Sequence, residues 1–124
     1  MTDLTKCEER ISRNWNPDTY LDKSVIKFVL QIRRLCIGHI GEIRVQSSYA
    51  DQTDCEADRM DQRAEEAMDQ YSNTILRDMH LAKAKSLREQ ACFARLRVEQ
   101  AELELRFWTE NDITEMYELQ VMGG

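Results

Sequence analysis

Six carboxylates, Asp51, Asp54, Asp58, Asp61, Glu65 and Asp69, recur at steps of three, four, three, four and four. On a helix turning 100° per residue they project within an arc of roughly 80°, offset from an apolar face of Met60, Ala64, Ala67 and Tyr71. Like charges one turn apart mildly oppose their own helix, so the pattern calls for a compensating cation. Three kinds of chemistry fit it. The stripe can simply solvate a helix. It can receive a protein with a basic surface, or imitate a phosphate backbone and block a nucleic-acid-binding surface. Or Asp58, Asp61 and Glu65 can offer oxygen ligands to Mg²⁺.

Within the stripe, Glu65, Glu66 and Asp69 resemble the EExxE half of the signature of the all-α nucleoside triphosphate pyrophosphohydrolases, over five residues. The resemblance implies a metal-dependent nucleotide hydrolase with its carboxylates on one helix. Where that family has a downstream ExxD, this chain offers Glu99 and Glu102 as ExxE. Cys36 and His39 have the spacing of a metal-ligand pair, but two further ligands are needed, and only His80 and three scattered cysteines remain. The simpler expectation is a core cysteine beside a partly buried histidine. No Ser, His and Asp grouping carries a nucleophile signature, and no glycine-rich loop could cradle phosphate. The residues therefore point to no catalytic group, no bound metal and no cofactor.

The elements that must position the stripe are helical. From Ala84 to Trp108 small or apolar residues fall at Ala84, Leu87, Ala91, Ala94, Val98, Ala101, Leu105 and Trp108, alternating steps of three and four as a coiled-coil seam does. Half of its positions are Ala. A partner helix can thus approach closely, while each contact buries little apolar area. Upstream, Ala64, Met68, Tyr71, Ile75, Met79 and Ala82 form an eleven-residue apolar repeat suited to a nearly straight helix. Ser72, Asn73 and Thr74 are the poorest helix formers in that stretch, so a turn there is the alternative to one unbroken helix over 51–108. Unbroken, it would span about 87 Å, against a radius of gyration of about 14 Å for a compact domain of this length. It would then need a second copy or a partner to cover it.

A further apolar stripe at Leu21, Val25, Phe28, Val29, Ile32, Leu35, Cys36, Ile40 and Ile43 marks a core helix starting at Asn16 and Pro17. Gly38 and Gly41 are its weak point, so it is expected over 17–37, or to 46 if the glycines are tolerated, with a connector at Ser47, Ser48 and Tyr49. Short helices over 3–13 and 112–122 complete the chain, with Trp15 as an anchor after the first and Asp112 capping the last.

With 4 Gly and 1 Pro in 124 residues a turn-rich β fold is disfavoured. The four cysteines form no CxxC pair, which suits a reducing compartment. The opening MTDLTKCEER is too polar for a signal peptide, and Lys27, Gln31, Arg33, Arg34, His39, Glu42 and Arg44 interrupt the most apolar segment, so no membrane span is expected. The net charge of −6 is uneven: residues 51–70 alone carry −6, and 71–107 carry +2. The bases Arg77, Lys83, Lys85, Arg88, Arg95, Arg97 and Arg106 are interleaved with Glu89, Glu99, Glu102 and Glu104, which reads as a salt-bridged coiled-coil face before it reads as a nucleic-acid surface.

The sequence thus predicts an all-α, single-domain protein, an elongated helical bundle or coiled-coil hairpin dominated by one long helix, unbroken or once broken near 72–74. The expected function is non-catalytic. The chain reads as an intracellular (cytoplasmic or nuclear) protein-interaction module, an adaptor, assembly factor or inhibitor. Asp51, Asp54, Asp58, Asp61, Glu65 and Asp69 would meet a basic protein partner, and the Ala84–Trp108 seam would mediate homo-oligomerisation. A metal-dependent nucleotide pyrophosphohydrolase and a nucleic-acid-binding dimer are the alternatives.

Overall fold

The computed structural model describes residues 3–14, 23–111 and 113–123, with the backbone alone at 13, 14, 113, 114, 122 and 123. The expected Trp15 anchor, the Asn16–Pro17 helix start and the Asp112 cap lie outside the described residues. Four helices make up the fold: α1 (Leu4–Asn14), α2 (Lys23–Tyr71), α3 (Thr74–Glu110) and α4 (Ile113–Gly123). Among the described residues there is no strand, and α2 and α3 pack against each other as a hairpin. The helices feed two compact units, Met1–Ile43 with Glu99–Gly124, and Arg44–Val98.

The first unit has bulk to bury. Cys7 and Ile11 from α1, Val29, Ile32, Cys36, Ile40 and Ile43 from α2, and Ala101 and Leu105 from α3 form its core. Phe28 sits against Trp108 and Tyr117, with ring centroids 6.4 and 5.4 Å away, which ties α4 to α2 and α3. Asp3 caps α1, accepting the Lys6 N–H on its side chain at 3.2 Å.

In the second unit the two long helices meet through small residues. Ala50 packs with Ala91 and Ala94, and Ala57 and Met60 pack with Ala84 and Leu87. Thr53, Ala64 and Ala67 are also buried. The α2 side of the seam is a heptad running 43, 46, 50, 53, 57, 60, 64 and 67, so both helices carry the same three-four spacing.

Two expectations are corrected by this arrangement. The connector at Ser47–Tyr49 does not exist, since α2 continues from Lys23 to Tyr71, passing Gly38 and Gly41 as well. Glycine costs only about 1 kcal/mol each relative to Ala, and burial of Cys36, Ile40 and Ile43 on the same helix offsets that. The chain reverses at Ser72 and Asn73, the weak spot read from composition. Ser72 takes a left-handed φ of 47°, its N–H donates to the Met68 carbonyl at 3.1 Å, and the Asn73 N–H folds back to the Ala67 carbonyl at 2.9 Å. Asn73 then caps α3, its side-chain oxygen accepting the Leu76 N–H at 3.0 Å. The reversal also breaks the expected eleven-residue stripe: Tyr71, Ile75 and Met79 are exposed.

Candidate interaction faces

The cation demanded by the acidic stripe comes from the chain itself. Arg88 on α3 reaches Asp58 at 3.1 Å and also bonds Asp61. One heptad later Arg95 reaches Asp51 at 3.4 Å and also bonds Asp54. Each arginine therefore clamps two aspartates one turn apart on α2, and the two clamps repeat in register along the hairpin. The hydrogen bonds that Arg88 donates to Asp61 and Arg95 donates to Asp54 push the two guanidinium pKa values further up, against a smaller opposing effect of desolvation. Alongside the clamps Tyr49 donates its hydroxyl hydrogen bond to Gln90 at 3.2 Å.

Glu65 and Asp69 are set apart from this ladder. One heptad before Arg88 the α3 residue is Leu81, and it lines an open groove of about 480 Å³ with Asp61, Ala64, Glu65, Met68, Asp69 and Arg77. Arg77 is bonded to its neighbour Asp78 at 3.0 Å. The groove is thus lined by apolar Ala64, Met68 and Leu81, by the acids Asp61, Glu65 and Asp69, and by Arg77. Of the six stripe residues, four are clamped within the hairpin and two remain at the groove.

The Ala84–Trp108 seam faces inward. Ala84, Leu87, Ala91, Ala94, Ala101 and Leu105 are buried, and Val98 and Trp108 are half-buried. Ala84, Leu87, Ala91 and Ala94 of the seam thus pack with residues of α2 in the same chain.

A second stripe on α3 went unread in the sequence. Phe93, Leu96, Leu103 and Phe107 are all more than half exposed. Their signal was present as steps of three, seven and four, with Gln100 filling the gap.

Cys36 is fully buried and His39 half-buried, as their spacing on a core helix led one to expect. Burial first, and the neighbouring Cys7 second, push the Cys36 thiol up to about 12. Burial also raises the Cys7 thiol, although the Thr109 hydroxyl opposes this. His39 Nε2 lies 2.7 Å from a Glu104 carboxylate oxygen, a close contact without hydrogen-bond alignment.

For the hydrolase-like motif, Glu65 lines the groove beside Leu81, whereas Glu99 lies about 27 Å further along α3 at 1.5 Å per residue. Among the described residues no three His, Cys, Asp or Glu side chains converge as a metal-holding group, and no helix is long and apolar enough to cross a membrane. The chain matches no known family model, and no curated protein or solved structure is significantly similar to it.

Proposed function

We propose that this chain is a non-catalytic helical interaction module whose contact with a basic protein partner is made at the groove between Glu65, Asp69 and Leu81. The observation that carries this reading is the missing clamp. The hairpin neutralises its acids by placing an arginine on α3 once per heptad, at 88 and 95, and at the third such position it has Leu81 instead. A lysine or arginine arriving from a partner can lay its aliphatic stem on Met68 and Leu81 and set its charge against Glu65 and Asp69. That completes with a foreign cation the pattern the chain otherwise completes itself. Tyr71, Ile75 and Met79, exposed close to the turn, supply large apolar side chains for the same encounter.

We also take the site of action to be a reducing compartment, cytoplasmic or nuclear, on the strength of four free cysteines. An adaptor, assembly factor or inhibitor role is compatible with such a groove. So is the blocking of a nucleic-acid-binding surface, because such surfaces are themselves basic.

Selection of displayed peptides on the immobilised protein tests the reading. Enriched peptides should carry Lys or Arg interleaved with apolar residues. They should bind the Glu65→Lys, Asp69→Lys variant about tenfold or more weakly while its circular dichroism is unchanged. Peptides without a basic bias, or equal binding to the variant, would show that the groove is only a solvated feature.

A further inference from the structure

Along α3, Phe93, Leu96, Gln100, Leu103 and Phe107 follow one another at steps of three and four. At 100° per residue they occupy an arc of roughly 80°, on the side of the helix away from Ala84–Trp108. The four apolar members are 67%, 52%, 61% and 56% exposed, values typical of free surface rather than of a packed face. α3 therefore carries two heptad seams. One is filled by α2, and the other is empty.

We propose that the empty seam pairs antiparallel with the same seam of a second copy of this chain. The charges flanking the seam decide the occupant. In an antiparallel two-helix contact, core residues meet in layers, while the residues just beside them on each edge meet their counterparts across the interface. Setting Leu96 against the partner's Phe107 sets Gln100 against the partner's Leu103 and leaves Phe93 outside the apolar layers, opposite the partner's Glu110. That register brings Arg97 to the partner's Glu104 and Glu99 to the partner's Arg106. Two-fold symmetry repeats both pairs, so the seam is bordered by four opposite-charge contacts. All four charged residues are exposed along α3. Glu104 already contacts His39 through one oxygen, and a carboxylate has a second oxygen to offer.

Other arrangements of two copies are opposed by the same residues. Sliding the antiparallel pair by one heptad in one direction sets Arg97 against the partner's Arg97 and Glu99 against the partner's Glu99. Sliding it the other way sets Glu104 and Arg106 against their own copies. A parallel pair places Glu99 beside the partner's Glu104. Self-complementarity in a single register points to a second copy rather than an unrelated protein, and Gln100 within the seam adds a polar marker of register. The apolar contact is short, about 17 Å of helix, so the association is weak, on the order of tens of micromolar. This proposal is independent of the groove at Glu65 and Asp69.

Sedimentation equilibrium of the full chain from about 1 to 500 µM, in reductant so that the exposed Cys55 and Cys92 cannot cross-link, should show the 14.6 kDa monomer giving way to twice that mass. Leu103→Lys should leave a monomer with unchanged circular dichroism. Glu99→Arg decides orientation: it should weaken the antiparallel dimer about tenfold or more, and adding Arg106→Glu should restore it. A monomer across the whole range, a dimer indifferent to Leu103→Lys, or a dimer unchanged or tightened by Glu99→Arg would overturn the proposal.

Discussion

The same two helices are held together by different means in the two units. In the unit containing α1 and α4, Val29, Ile32, Cys36, Ile40 and Ile43 on α2 and Leu105 on α3 are buried with Cys7 and Ile11 of α1. In Arg44–Val98 only α2 and α3 are present, and seven of the ten buried residues are alanines (Ala50, Ala57, Ala64, Ala67, Ala84, Ala91 and Ala94), beside Thr53, Met60 and Leu87. A pair of helices alone surrounds few bulky side chains, here Met60 and Leu87, and alanine lets the two backbones approach until little needs surrounding. The cost is apolar area, roughly 25 cal/mol for each Å² not buried. It is met in part by polar devices on the rim, namely two arginine clamps and a tyrosine hydrogen bond. Where additional helices cover the pair, bulk supplies the stability. Where they do not, closeness and register have to.

Opposite substitutions test this contrast most directly. Leu105→Ala should cost about 2–5 kcal/mol in chemical denaturation, because the side chain is fully buried and its neighbours cannot all collapse into the space. In the other unit enlargement should do the harm: Ala94→Leu should cost about 1–3 kcal/mol by prising apart a contact that Ala50 and Ala91 share. An Ala94→Leu variant as stable as the parent would mean that close approach is not what holds Arg44–Val98 together.

The thiols divide along the same line. Cys7 and Cys36 are buried in one unit, while Cys55 and Cys92 are exposed in the other. Under native conditions a thiol reagent should therefore label two cysteines quickly and the other two only on unfolding. The pH dependence has a definite sign. The folded chain keeps the Cys36 proton up to about 12, whereas the unfolded chain loses it from its ordinary value of 9.0. The stability associated with the neutral buried thiol is complete below pH 9.0 and is lost as pH rises toward about 12. Cys36→Ala should flatten the alkaline limb of a stability-pH curve, and an unchanged limb would assign it to other groups.

How much of this was readable follows from which residues carry the pattern. The α3 seam was legible because Leu87, Val98 and Leu105 punctuate its alanines, and the turn because Ser72, Asn73 and Thr74 are poor helix formers. The matching seam on α2 was hidden: through Gln46, Ala50, Thr53 and Ala57 it contains no large apolar residue, so its heptad does not stand out from the surrounding polarity. The bulkier Tyr71, Ile75 and Met79 suggested a stripe that the reversal then divided. The acidic stripe was visible as residues but not as clamps, since pairing Asp58 and Asp61 with Arg88 requires knowing which turns of two antiparallel helices lie side by side. Gln100 concealed the outer stripe in the same way.

The glycines sharpen the comparison at smaller scale. Gly38 and Gly41 belong to the bulky unit, and a Cβ added at either would meet no atom within 4 Å. Gly38→Ala and Gly41→Ala should each raise stability by about 1 kcal/mol, through helix propensity and a less free unfolded chain. Either substitution lowering the thermal midpoint would show that α2 needs to bend there.

The smallest effect is expected at the most conspicuous contacts. Arg88 makes two ion pairs, yet its side chain and those of Asp58 and Asp61 remain 44%, 77% and 40% exposed, so water screens the attraction and ordering a long side chain offsets part of it. Arg88→Met should lower Tm by no more than about 1–3 °C, and the difference should shrink in about 1 M salt, where screening acts within about 3 Å. Its value to the hairpin lies in opposing a slip in one direction: moving α3 by one heptad so that Arg88 meets Asp51 and Asp54 would set Leu81 against Asp58 and Asp61, whereas the opposite slip would give those aspartates Arg95. Mutating both clamps, Arg88→Met with Arg95→Met, should therefore change cooperativity more than midpoint, broadening the transition as the register that the clamps oppose becomes accessible. A large, salt-independent fall in Tm from Arg88→Met alone would instead make the clamps principal supports of Arg44–Val98, and the alanine seam would lose that role.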